Sequence, residues 1–133
     1  LDPYAPAVLA GGKDGAPTLG LIADHRFDWG DDRPPRHPWR ETILYEAHLR
    51  GLTIHPASGA AHAGQYLGLV EKIPYLEALG VTAIELLPVQ EFPDWEQRRG
   101  GQGERVRNYW GYDPMALFAP KAGYASEPGR CLS

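Results

Sequence analysis

Residues 66–89 read YLGLVEKIPYLEALGVTAIELLPV, and this stretch decides the fold. Leu69, Val70, Ile73, Leu76 and Leu79 recur at helical spacing, and Gly80 stands where a helix-terminating glycine belongs. Pro74 lacks the N–H that an uninterrupted helix needs. The spacing therefore predicts a short turn ending at Lys72 or Ile73, then a new helix with Pro74 in its first position. VTAIELLPV, residues 81–89, follows almost without polar interruption, the mark of a strand covered on both faces.

Upstream, TILYEAHL at residues 42–49 is β-branched and aromatic, with Leu44, Glu46 and His48 on one face and Ile43, Tyr45, Ala47 and Leu49 on the other. It reads as a strand with a polar face. Inside a closed parallel barrel, Glu46 and His48 would point inward and need hydrogen-bond partners. A glycine-bearing loop, residues 51–64, joins it to the helical stretch. Strand, helix and strand with a short link form a βαβ unit, so the two strands are expected to be parallel.

Downstream, QEFPDWEQRRGGQGERVRNYWGYDP at residues 90–114 reads as one long polar loop beyond the C-terminal end of a parallel strand, where α/β folds place their active sites. Met115 to Phe118 reads as an apolar turn and residues 122–130 as the approach to a further helix. Residues 1–41 carry closely spaced proline and glycine, so they form an arm with at most one strand around residues 19–22. Its aromatics Tyr4, Phe27, Trp29 and Trp39 are expected to pack against a neighbour.

Composition narrows the function. The formal net charge of −4 opposes a nucleic-acid footprint. The two arginine groups, Arg33, Arg36 and Arg40, then Arg98, Arg99, Arg105 and Arg107, are interleaved with acids and read as solvated loops. The single cysteine, Cys131, excludes an internal disulfide and fits a reducing, cytoplasmic setting. No apolar run is long enough to span a membrane. His48 with Glu46 lacks a third ligand at fixed spacing, with His55 and His62 in a loop, so no metal site is expected. Gly11-Gly12 and Gly100-Gly101 lack the strand-to-helix placement of a phosphate loop, and no cofactor is implied.

The strings LDPYA, FDWGDDRPPRHPW, YEAHLRGLT, YLEALGVTAIELLPVQEF, NYWGYDP and FAPKAGYAS occur in the order and approximate spacing of one family. Together they resemble the bacterial glycogen debranching enzymes, isoamylase-type members of the α-amylase superfamily that hydrolyse α-1,6 branch points. The resemblance implies an α/β fold, the N-terminal part of a (β/α)8 TIM barrel. Residues 1–41 would be the linker after a β-sandwich, and residues 42–133 the incomplete start of the catalytic barrel. It implies an α-glucan such as glycogen or limit dextrin as the partner, and a retaining pair of carboxylates on later strands.

That chemistry needs two carboxyl groups roughly 5 to 5.5 Å apart. Among the acids here, Asp31 and Asp32 are adjacent in a turn, Glu71 and Glu77 belong to the helical stretch, and Glu104 is in the loop. Glu46 and Glu85, on neighbouring strands, read as parts of a barrel wall. No catalytic residue is assigned, and the segment alone is expected to be inactive. The substrate-binding candidates are Tyr112, Trp110, Tyr109 and Asp113. An aromatic ring can cover the apolar C–H face of a pyranose, and Gly111-Tyr112 matches the family's pair at the subsite of the sugar being cleaved. Each has a plainer reading: the rings as a cover on the barrel rim, Asp113 as the acid that orients the turn at Pro114. A branching enzyme, a trehalose-releasing hydrolase and a non-catalytic carbohydrate-binding remnant are the alternatives.

Overall fold

The computed structural model describes residues 26–97 and 105–126, which fall into two units, 26–36 and 37–126. In the first, Asp28 Oδ1 accepts the Gly30 N–H at 2.9 Å, and the Asp32 N–H reaches Trp29 O at 2.9 Å, closing a turn. Phe27 and Trp29 meet edge to face at 4.8 Å, yet both stay exposed. Trp39, in a 3-10 turn Trp39–Glu41 of the second unit, is 90% exposed. Among the described residues nothing covers these three rings, while Tyr4 and the strand expected at residues 19–22 lie outside the described residues.

The second unit opens with strand β1 (Leu44–Ala47) and helix α1 (Leu49–Thr53). Helices α2 (Tyr66–Glu71) and α3 (Ile73–Ala78) follow, then strand β2 (Ala83–Leu86). The chain continues through β3 (Gln90–Glu91), β4 (Trp95–Gln97), β5 (Arg105–Arg107) and β6 (Ala116–Pro120). It closes with a 3-10 turn, Ala122–Tyr124. β1 and β2 pair in parallel, Leu44 opposite Ala83 through Ala47 opposite Leu86. That is the expected βαβ unit. The helix break falls at Lys72, and α3 starts at Ile73, so Pro74 is its second residue rather than its first.

Gly80 ends α3 as expected. Its φ of 82° is left-handed, its N–H bonds Glu77 O at 2.9 Å, and the Val81 N–H bonds Leu76 O at 3.0 Å. These paired bonds satisfy carbonyls that the helix end would otherwise leave open.

Several expectations change. The first strand stops at Ala47 because His48 caps a helix: its Nδ1 accepts the Gly51 N–H, and the backbone turns into α1. Residues 51–64 are therefore partly helical, and the rest is pinned. Thr53 Oγ1 accepts the Gly64 N–H at 2.7 Å, and the Ser58 hydroxyl donates to Thr53 O at 2.6 Å. Glu71 accepts from Ala61 N, His62 N and His62 Nδ1, and the His62 contact holds its carboxyl below the usual glutamate range. The second strand is covered on one face rather than two. Ile84 and Leu86 share the covered side with Tyr45 and Ala47, while Glu85 and Glu46 face each other across the open side.

Residues 90–114 are not one loop. β3 pairs antiparallel with β6, and β4 with β5. The apolar turn expected at Met115 to Phe118 is mostly strand, and residues 122–126, the described part of the expected approach to a further helix, hold a 3-10 turn. The core centres on Leu49, Phe92 and Tyr124, with Tyr66, Leu69, Leu86 and Val89 packed around it. Phe92, inside the stretch read as one long polar loop, is 2% exposed. Among the described residues no helix is long and apolar enough to cross a membrane.

Tyr66 ties this core to the segment after β6. Its hydroxyl donates to Val89 O at 2.9 Å and lies 3.4 Å from Lys121 O, and burial pushes its pKa up to about 12. The raised value favours the neutral phenol in the folded state. Its contribution is whole below the unfolded tyrosine pKa and is lost as pH rises toward 12. Tyr66→Phe is expected to cost about 1 kcal/mol at neutral pH. It should also flatten the loss of stability between neutral and alkaline solution, as urea titrations at the two pH values would show.

Candidate functional site

The aromatic stretch Asn108 to Pro114 leaves β5 and is folded back by its first residue. Asn108 is buried; its Oδ1 accepts the Gly111 N–H at 3.0 Å, and its Nδ2 donates to Tyr112 O at 2.9 Å. The Asn108 N–H reaches Asp94 O at 2.8 Å. One amide side chain thus closes the turn from within, which is what asparagine does when it substitutes for backbone in a tight bend. Gly111 sits at the centre with φ 81°, against Phe92 and Pro88.

The turn sorts the rings into two groups. Tyr109 stacks on His48 at 4.3 Å with 7° between planes, and Trp110 meets Tyr109 edge-on at 5.1 Å. Tyr112 stands apart, 58% exposed and with no ring contact among the described residues. Asp113 is exposed, with φ at 65°. Its carboxylate has no hydrogen bond among the described residues, so it does not orient the turn at Pro114 through its side chain. Of the four predicted residues, Tyr109 and Trp110 are built into a cluster, while Tyr112 and Asp113 leave a ring and a carboxylate open on the same bend.

Beneath the bend lies a buried cation. Lys121 is 4% exposed; its Nζ donates to Glu91 Oε1 at 2.8 Å, Phe92 O at 2.9 Å and Asp94 Oδ1 at 3.0 Å, and lies 4.4 Å from the Phe92 ring centre. The second Glu91 oxygen accepts the Ala122 N–H at 2.8 Å. These bonds replace the water that an ammonium and a carboxylate lose on burial.

Sequence reading missed three of these supports. His48, taken as a barrel-interior residue sharing a face with Glu46, is instead a helix cap stacked under Tyr109. Asn108 carried a usable signal, an asparagine three residues before a glycine in an aromatic bend. Lys121 carried none, since its partners lie about thirty residues away. Glu46 and Glu85 are opposite each other in the parallel register, and neither carboxylate has a hydrogen-bond partner among the described residues. The inward hydrogen bonding expected of Glu46 and His48 together is therefore not observed.

No family model matches the chain. Solved structures do. The apo pullulanase of Paenibacillus barengoltzii matches at TM-score 0.68 and 31% identity, over 96% of this chain and 21% of that one. The type I pullulanase of Bacillus subtilis strain 168, solved with maltose, matches at TM-score 0.64 and 31% identity, over 83% of this chain and 17% of that one. The fold is that of a segment of these α-amylase-family proteins. In sequence, the chain is 47% identical over 114 residues to the glycogen debranching enzyme of Klebsiella pneumoniae strain 342, which takes in 84% of this chain and 17% of that relative. The chain is homologous to the bacterial glycogen debranching enzymes, as its motifs imply, and spans about a sixth of the length of the curated relative it matches.

Proposed function

We propose that the chain is part of the catalytic domain of an isoamylase-type debranching glycosidase that hydrolyses α-1,6 linkages in glycogen or limit dextrin with retention of configuration. In this reading the βαβ unit begins a (β/α)8 barrel, residues 1–41 are its linker, and the catalytic carboxylates come from other parts of the protein. The observation that carries it is the identity with a glycogen debranching enzyme across most of the chain. The open ring of Tyr112 supports it chemically. A tyrosine held on a fixed bend offers a flat apolar face and a hydroxyl to a glucose unit, and Asp113 beside it can accept a sugar hydroxyl. The reading requires no cofactor and places the enzyme in the cytoplasm, where a single cysteine is at ease.

A second reading, α-1,6 cleavage in pullulan, is favoured by the pullulanases among the structural neighbours. Assays of the full-length protein on glycogen limit dextrin, pullulan and linear maltooligosaccharides separate the two. Preferred release of branches from limit dextrin, with the α-anomer formed first by NMR, is the expected result. Cleavage of linear α-1,4 chains alone, or first formation of the β-anomer, would overturn it. Tyr112→Ala should lower kcat/KM by about thirtyfold, the loss of a buried aromatic contact, while Trp110→Ala should cost only about threefold. Equal small effects would remove Tyr112 from the site.

A further inference from the structure

We infer that His48 is the positioning residue of the substrate loop, acting on Tyr112 through Tyr109. The inference rests on the reading of Tyr112 as a sugar platform. His48 Nδ1 accepts the Gly51 N–H at 2.9 Å, so the neutral ring carries its proton on Nε2, which donates to Tyr109 O at 2.7 Å. The cap of α1 thereby sets the tautomer, and the tautomer supplies the donor that the loop needs. The same imidazole stacks on the Tyr109 ring, while Trp110 and Tyr124 close on its edges at 6.0 Å and 6.3 Å. Both the backbone and the ring of Tyr109 are therefore held by one side chain at the C-terminal end of β1.

Tyr112 has no ring partner of its own among the described residues, so where it stands on the bend is set by the backbone that carries it. That backbone is anchored twice: at Tyr109 by His48, and at Gly111 and Tyr112 by Asn108. Asn108 shapes the bend from inside. His48 fixes the bend to the end of the parallel strand.

His48→Asn separates the cap from the clasp. Asparagine caps helices well, so α1 keeps its acceptor, but the shorter side chain has no ring to stack and cannot reach Tyr109 O. In the full-length protein, amide exchange of residues 108–114 is expected to rise about tenfold while α2 and α3 keep their protection. On limit dextrin KM should rise about tenfold, with kcat within about twofold. Unchanged exchange in residues 108–114, equal loosening of α2 and α3, or a fall in kcat at constant KM would each overturn the assignment. If the wild-type protein cleaves no α-1,6 bond, the proposed function falls, and the exchange measurement still decides whether His48 holds the loop.

Discussion

Lys121→Met is expected to destabilise the protein by about 4 kcal/mol in denaturant unfolding, the largest effect of any single change considered. Methionine fills much the same space and keeps the contact with the Phe92 ring. What it removes is the charge. Glu91 is then left mostly buried without its cation, and the Phe92 carbonyl loses its donor. Asp94, 57% exposed, can return to water and adds little. The double variant Lys121→Met with Glu91→Gln should recover at least about half the loss, because the amide oxygen can still accept from Ala122 and no unpaired charge remains buried. A loss below about 1 kcal/mol for Lys121→Met would show that the ion pair does not organise β3 and the segment after β6.

Gly111→Ala is expected to cost about 3 kcal/mol and to loosen the aromatic bend. Two costs add. The backbone at Gly111 is left-handed, where an L side chain is strained, and the new Cβ would lie 2.7 Å from a Phe92 ring carbon and 2.9 Å from the Pro88 carbonyl oxygen. Phe92 is in the core and Pro88 follows β2, so neither gives way cheaply. The unfolding midpoint should fall, and exchange should rise across residues 108–114. Wild-type stability would mean that the bend adopts another conformation in solution.

The two effects share a cause. The aromatic bend is supported from below by groups that come together only when β3 meets β6. Phe92 packs on Gly111, and Lys121 lies against Phe92, so damage at either point reaches the same ring. The backbone that carries the exposed Tyr112 rests on this buried layer.

The local elements were legible because their signals are local. Helical spacing, the missing N–H of Pro74 and the left-handed backbone at Gly80 each act within one turn of chain, and the two helices end where those residues dictate. The parallel pairing of β1 and β2 was legible because a short link after a helix leaves little choice. The end of β1 was not. Alternation continues through Leu49 in the sequence, but the Gly51 N–H bonds the His48 ring and the Leu52 N–H bonds His48 O, turning the chain one residue after Ala47.

The stretch around β3, β4 and β5 misled for a different reason. Glu91, Phe92 and Trp95 lie among prolines and charges, and composition alone assigns such a run to solvent. Phe92 is buried because Tyr124 and Leu49 are brought to it, and Glu91 because Lys121 is. Local sequence was enough for the βαβ unit, the helix break before Pro74 and the glycine that ends α3. The tertiary structure alone decided which ring of the bend is stacked on a histidine and which is open, and which charges lie beneath it. Those outcomes rest on partners about thirty or more residues apart, His48 with Tyr109 and Glu91 with Lys121. Such contacts depend on tertiary packing, and neither periodicity nor turn chemistry encodes them.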